Sequence, residues 1–127
     1  MKACDGDFGN STNTLPSVDF STSSVDESLR SNAWRRLTGP LFEATAADAR
    51  GRAVLEGGVM ATVLGNSVFG TSWFNAQHHE RNQRLVLSSG LDQYVVQLVL
   101  GGHLKALCGA REVDVQIGDV LVLDLAK

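Results

Sequence analysis

Residues 94–125 read YVVQLVL-GG-HLKAL-CGA-REVDV-QIGD-VLVLDL, four short apolar or alternating runs separated by turns that contain glycine. Turn signals at a spacing of roughly 8–12 residues belong to a sandwich or barrel and not to a parallel sheet. Tyr94, Val96, Leu98 and Leu100 share one face of the first run, with Val95, Gln97 and Val99 on the other. Gly101-Gly102 can supply the positive φ angles of a tight hairpin. Leu104 and Ala106 alternate with His103 and Lys105, and Val113 and Val115 alternate with Glu112 and Asp114. Each of these strands should therefore have one buried and one wet face. Cys108-Gly109-Ala110 and Ile117-Gly118-Asp119 read as turns. Residues 120–125 are nearly all apolar, as in a strand covered on both faces. The stretch is expected to form an antiparallel meander, the wall of a small barrel.

Upstream, Ser24-Val25-Asp26-Glu27 matches the S-x-x-E capping box. Leu29, Ala33 and Leu37 then recur at helical spacing, flanked by Trp34, while Arg30, Arg35 and Arg36 point elsewhere. Gly39-Pro40 stops the run, a glycine able to take the left-handed cap followed by a residue that cannot continue a helix. The helix is placed at 25–38, its stripe buried largely through Trp34. Residues 41–49 read as a connection with a helical turn near 46–49. A strand pattern resumes at Arg52, with a bulge or bend expected at Gly57-Gly58 and a two-residue hairpin at Gly65-Asn66. In 67–76 the alternation does not say which face is buried. Residues 78–84 read as a polar loop, and Leu85-Val86-Leu87 as a short strand. Residues 1–19 are polar and poor in large apolar side chains, a flexible leader by composition. Residues 20–127 then form a single domain.

The chain has 127 residues, 43% of them hydrophobic and 20% charged, with 11 basic and 14 acidic side chains and a net charge of -3. A free-standing nucleic-acid binder would show a basic face and a high pI, so that class is disfavoured. No secretory signal pattern opens the sequence. No apolar run approaches the ~20 residues of a spanning helix. Cys4 and Cys108 lie far apart and read as a reduced pair, which with the absence of a signal points to the cytoplasm and to no membrane partner.

For chemistry the sequence offers little. In His78-His79-Glu80 the two histidines would point to opposite faces of a strand, and His103 stands alone on the wet face of its run. The cluster reads as a solvated surface rather than a metal site, and Glu80-Arg81 as a surface charge pair. Neither cysteine lies in a catalytic motif, and no nucleophile elbow, phosphate loop or dinucleotide fingerprint occurs. No catalytic residue, metal ligand or cofactor is assigned, and the protein is not expected to be an enzyme. A barrel mouth could instead hold a ligand. Trp73, Asn75, Tyr94 and Gln97 bring aromatic faces and amides suited to lining it, although each reads equally well as a core-filling or surface strand residue.

The order Phe20-Ser21-Thr22, Ala33-Trp34-Arg35 and Gly39-Pro40-Leu41-Phe42 resembles the start of the effector-binding domain of AraC-type transcriptional regulators. The likeness continues through Glu80-Arg81 and Arg84-Leu85, the strand at 94–100 with its Gly-Gly turn, and Gly118-Asp119-Val120-Leu121-Val122-Leu123-Asp124. The resemblance covers about residues 20–125. It implies a mainly β, cupin-like antiparallel barrel or sandwich with an N-terminal helix. Such a domain senses an unidentified small effector, is often a homodimer, and reaches DNA only through a C-terminal helix-turn-helix domain. That domain is not within these 127 residues, and the last strands of the barrel are also expected to be missing. Two other readings stand beside it. One is a small cupin-type metalloenzyme of isomerase or dioxygenase type, whose H-x-H pair is not found. The other is a dimerisation module without a ligand.

Overall fold

The computed structural model of the protein describes residues 15–127. Cys4 and most of the expected leader lie outside the described residues. The elements run β1 (Ser17–Ser21), a 3-10 turn (Thr22–Ser24), α1 (Glu27–Thr38), β2 (Glu43–Ala46), β3 (Gly57–Leu64), β4 (Ser67–Phe74), β5 (Gln77–Glu80), α2 (Gln83–Ser89), β6 (Tyr94–Leu98), β7 (Leu104–Cys108), β8 (Arg111–Val115) and β9 (Val120–Asp124). The fold is mainly β and its sheets are antiparallel, in the orders β1-β3-β4, β2-β5, β6-β9 and β7-β8. None of these sheets closes on itself, so the expected barrel wall is a set of open sheets. The chain divides into two compact units, one running to Leu37 and resuming over Ala44–His78, the other comprising Thr38–Glu43 and His79–Lys127.

In the first unit, order begins before Phe20. Residues 17–19, assigned by composition to the leader, are strand, because Ser17–Ser21 pairs with β3 from Ser17↔Thr62 to Ser21↔Gly58. A backbone ladder of this kind does not require apolar side chains on the edge strand. Helix α1 begins at Glu27 rather than 25, since Thr22–Ser24 forms its own turn, with Ser21 as N-cap and the Ser24 hydroxyl donating to the Ser21 carbonyl. Ser24 is thus not the helix cap that the S-x-x-E spacing predicted. The buried stripe is also rotated by one residue from the expected one. Leu29 is exposed while Trp34 and Thr38 are buried. Arg30 lies along the packed side, donating to the Val25 carbonyl and pairing with Glu56 at 3.0 Å. The helix stops at Thr38 as Pro40 requires, but Gly39 does not adopt a positive φ. The Thr38 carbonyl instead accepts from the amides of Leu41 and Phe42.

Gly57 and Gly58 make no bulge. They are the buried first residues of β3 and lie flat against two indoles. A Cβ on Gly57 would stand 2.5 Å from the Trp34 ring, and one on Gly58 would overlap Trp73, its cross-strand partner. The Gly65-Asn66 hairpin forms as expected, closing β3 onto β4 with Gly65 at φ 60° and Asn66 outside the positive region, the pattern of a type II′ turn. Both faces of β4 remain open, with Val68 on one and Phe69 and Trp73 on the other.

The second unit departs from the meander. Strand β6 pairs with β9, from Tyr94↔Asp124 to Leu98↔Val120, and the β7-β8 hairpin is nested between them. Periodicity identified the four strands, but it carries no information about which strand pairs with which. Gly102, at φ 69°, redirects the chain out of β6 without making a β6-β7 hairpin. Val99 extends the outer pair, donating to the Asp119 carbonyl and accepting from Gly118. In the Gln116–Asp119 turn the Asp119 amide donates to the Gln116 carbonyl, and the Asp119 carboxylate accepts the Gln116 amide at 2.8 Å.

Three local assignments change. Residues 85–87 are helical, not strand, because Asn82 caps the Leu85 amide and Gly90, left-handed at φ 65°, ends α2. Residues 77–80 and 43–46 are strands where loop and connection were expected. The buried hydrophobic residues are few among the described residues: Trp34, Ala44, Ala46 and Leu55 in the first unit, Val99, Val115 and Leu125 in the second.

Candidate functional site

The densest polar arrangement lies in the first unit, around Trp34. Its ring is 1% exposed, and its Nε1 donates to Gln77 Oε1 at 2.8 Å. Gln77 Nε2 donates in turn to the Glu56 carbonyl and to Asn75 Oδ1, both at 2.9 Å. Asn75 accepts the Glu56 amide as well and donates to the Val54 carbonyl. Ser31 and Thr22 accept the amides of Leu55 and Gly57. Most of these bonds hold the 54–57 segment, through Thr22, Ser31, Asn75 and Gln77, and the other two link Trp34, Gln77 and Asn75 to one another. Buried polar groups must find partners, and here most of the partners are backbone groups. The arrangement holds a chain segment and presents no reactive group.

The loop at 48–53 in the same unit is held by Asp48, whose carboxylate accepts the amides of Ala53 at 3.0 Å and Arg52 at 3.1 Å. These bonds, the Ala53 amide foremost, hold the carboxyl below the usual carboxylate range. The folded form therefore ionises more readily than the unfolded chain. The stabilisation is present above about pH 4 and is lost as pH falls through the lower folded value. An Asp48→Asn variant should lose stability at neutral pH and show a flatter acid-unfolding curve below about pH 4, read by circular dichroism. An acid limb unchanged from wild type would refute this role.

In the second unit, an open depression of about 520 Å³ is lined by His103, Lys105, Asp114 and Gln116 among others. Lys105 bonds Glu112 at 3.2 Å and lies 4.0 Å from Asp114. The Glu112 hydrogen bond, then the charges of Glu112 and Asp114, push the ammonium above its ordinary value. It stays protonated at physiological pH, so it offers charge and not a base. Among the described residues no three His, Cys, Asp or Glu side chains come together as a metal would need. His79 stacks on Phe42 with ring centroids 3.8 Å apart. Arg81 forms no surface pair with Glu80 but gives its guanidinium to the carbonyls of Leu125, Pro40 and Leu41 and to the Ser89 hydroxyl. Cys108 is a free, exposed thiol at the hairpin tip.

Of the proposed ligand-lining residues, Trp73 and Asn75 belong to the first unit and Tyr94 and Gln97 to the second. Trp73 lies over Gly58 and is 52% exposed, whereas the Asn75 amide is engaged in the network around Trp34. Tyr94 and Gln97 sit on opposite faces of β6, the tyrosine open to solvent and the glutamine half-buried. Sequence reasoning passed over Gln77 and Ser31 and read Arg81 as a surface ion pair, whereas it holds backbone carbonyls. A polar residue on a strand or helix gives no local sign that its partner is a distant backbone group. No helix among the described residues is long and apolar enough to cross a membrane. Comparison of the chain with protein-family models, with curated proteins and with solved structures gives no match.

Proposed function

We propose that the chain is the sensory and regulatory domain of an AraC-type transcriptional regulator, binding a small effector and associating as a dimer. The observation that carries this reading is the nested pair in the second unit, β6 with β9 around the β7-β8 hairpin, closed by the Gln116–Asp119 turn. Nested antiparallel pairs are the elements from which double-Greek-key and cupin-like folds are built. The spacing of the residues that resemble the family supports the same reading. Its mechanism is a population shift, in which an effector favouring one arrangement of the domain changes how an attached DNA-binding domain is presented. Of the four candidate residues, Tyr94 and Gln97 lie in the second unit, where the exposed Tyr94 ring is left to contact an effector by stacking.

The test is a thermal-unfolding screen of the purified chain against monosaccharides, small organic acids and aromatic amines. A ligand at about a hundred times its Kd adds about 2.7 kcal/mol of stability, a rise in Tm of several degrees. At least one compound class should produce such a saturable shift, reduced by Tyr94→Ala. A panel with no shift at all counts against the sensor. A second reading, an association module that needs no ligand, is favoured by the open apolar faces of β4, β6 and β9.

A further inference from the structure

The β7-β8 hairpin of the second unit carries opposite charges that its own bonds leave largely unused. The register sets Lys105 across from Asp114, so their side chains rise from one face of the hairpin. His103 precedes Lys105 by two residues and Gln116 follows Asp114 by two, and alternation carries both to the same face. All four line the open depression of about 520 Å³, together with Ile117, which is 66% exposed. Lys105 gives one hydrogen bond to Glu112 at 3.2 Å and stands 4.0 Å from Asp114, too far for a second. Among the described residues, nothing hydrogen-bonds the Asp114 carboxylate, the His103 imidazole or the Gln116 side-chain amide. An ammonium and a carboxylate each have room for several such bonds, so this pair has capacity left for a ligand.

We infer that the depression is a binding site for an α-amino acid zwitterion with an apolar side chain. The ligand carboxylate accepts from Lys105 and from the Gln116 amide, its ammonium donates to Asp114, and its side chain lies against Ile117. The charge pattern selects this class. A simple carboxylate drawn to Lys105 meets the negative charges of Glu112 and Asp114 beside it, and a simple amine drawn to Asp114 meets Lys105. In each case the attraction is offset by a like charge at similar distance. A ligand that carries both charges opposes each protein charge with its complement. In an α-amino acid a single carbon joins the two charged groups, a separation that suits a protein pair 4.0 Å apart. The four groups then alternate in sign around a closed square. Exposed ion pairs are weak, so the dissociation constant is expected on the order of a millimolar.

This inference goes beyond effector sensing and does not rest on it, since Tyr94 is not among the residues that line the depression. Heteronuclear NMR titration of the full chain with L-leucine, carried well beyond that constant, should shift the amide resonances of 102–105 and 114–117 saturably. Isocaproate and isoamylamine, which are leucine without its ammonium and without its carboxylate, should bind about tenfold more weakly or not at all. Asp114→Asn and, separately, Lys105→Gln should each weaken leucine binding about fivefold with an unchanged circular dichroism spectrum. Asp114→Asn should also bind isocaproate more tightly than wild type does, because the repelling carboxylate is gone. Tyr94→Ala should bind leucine like wild type, so this inference and the sensor reading fail on different variants. The absence of any saturable shift overturns the inference. So do binding of either singly charged analogue as tight as that of leucine, leucine binding unaffected by Asp114→Asn, and its loss in Tyr94→Ala.

Discussion

Trp34→Ala should destabilise the first unit by about 3–5 kcal/mol, the largest effect expected from a single side chain here. The residue is 1% exposed and, with Leu55, is one of two fully buried hydrophobic side chains among the described residues, so its loss leaves a large cavity. It lies flat on Gly57, whose missing Cβ is what allows β3 to approach α1 so closely. Removing it opens a cavity at the junction of helix and sheet and takes the indole donor away from Gln77 Oε1. Gln77 in turn braces the Glu56 carbonyl and Asn75, so the loss extends into the 54–57 segment. Against a typical domain stability of about 5–15 kcal/mol, a loss of that size leaves a large unfolded fraction. Trp34→Phe keeps an aromatic ring but loses the N–H donor and part of the indole volume, so it should cost less, about 1–3 kcal/mol. Urea unfolding followed by circular dichroism distinguishes the two. An alanine variant within about 1 kcal/mol of wild type would mean that the site collapses or that the ring is not the centre of this packing.

What could be read from the sequence was local. The Gly65-Asn66 turn, the end of α1 before Pro40 and the four strands after Tyr94 each depend on residues within a few positions of one another, and each is found. The failures concern partners distant in sequence. Strand pairing is one: β6 meets β9 and not β7, and no feature of 94–100 distinguishes the two outcomes. Leu85-Val86-Leu87 is another, since a three-residue apolar run fits either period. The deciding signals were Asn82 and Gly90 at its flanks, which cap a helix. Gly57-Gly58 was recognised as special but for the wrong cause, because the indoles that require these glycines come from α1 and β4. The same limit applies to the candidate site. Asn75 has the chemistry of a ligand-binding amide, and its assignment to the network of Glu56, Val54 and Gln77 follows only from the fold.

Arg81 tests that point in the second unit, where a residue that looks like half of a surface ion pair holds backbone instead. Its Nε and one terminal nitrogen donate to the Leu125 carbonyl at 3.1 and 2.7 Å, and the other terminal nitrogen donates to the Pro40 and Leu41 carbonyls at 2.8 and 3.0 Å. A further bond at 2.9 Å reaches the Ser89 hydroxyl, beside the end of α2. One guanidinium thus ties the segment after α1, the end of α2 and the residue after β9. Hydrogen bonds to a charged group contribute about 1.5–3 kcal/mol each, and those to Pro40 and Leu41 are exposed and fall at or below that range. Bonds made by one side chain do not add, so Arg81→Ala should cost about 2–4 kcal/mol in total. Arg81→Lys should recover less than half of the loss, because an ammonium keeps the charge but cannot span the carbonyls as a planar fork does. The bonded partners are neutral, so the loss should be nearly the same at low and high salt, whereas an exposed ion pair would be screened. Urea unfolding at two ionic strengths measures this, and hydrogen exchange should show faster opening of 120–125 in the variant. If lysine restores full stability, or the loss disappears at high salt, then Arg81 acts through its charge alone and the clamp described by these distances does not hold the unit together.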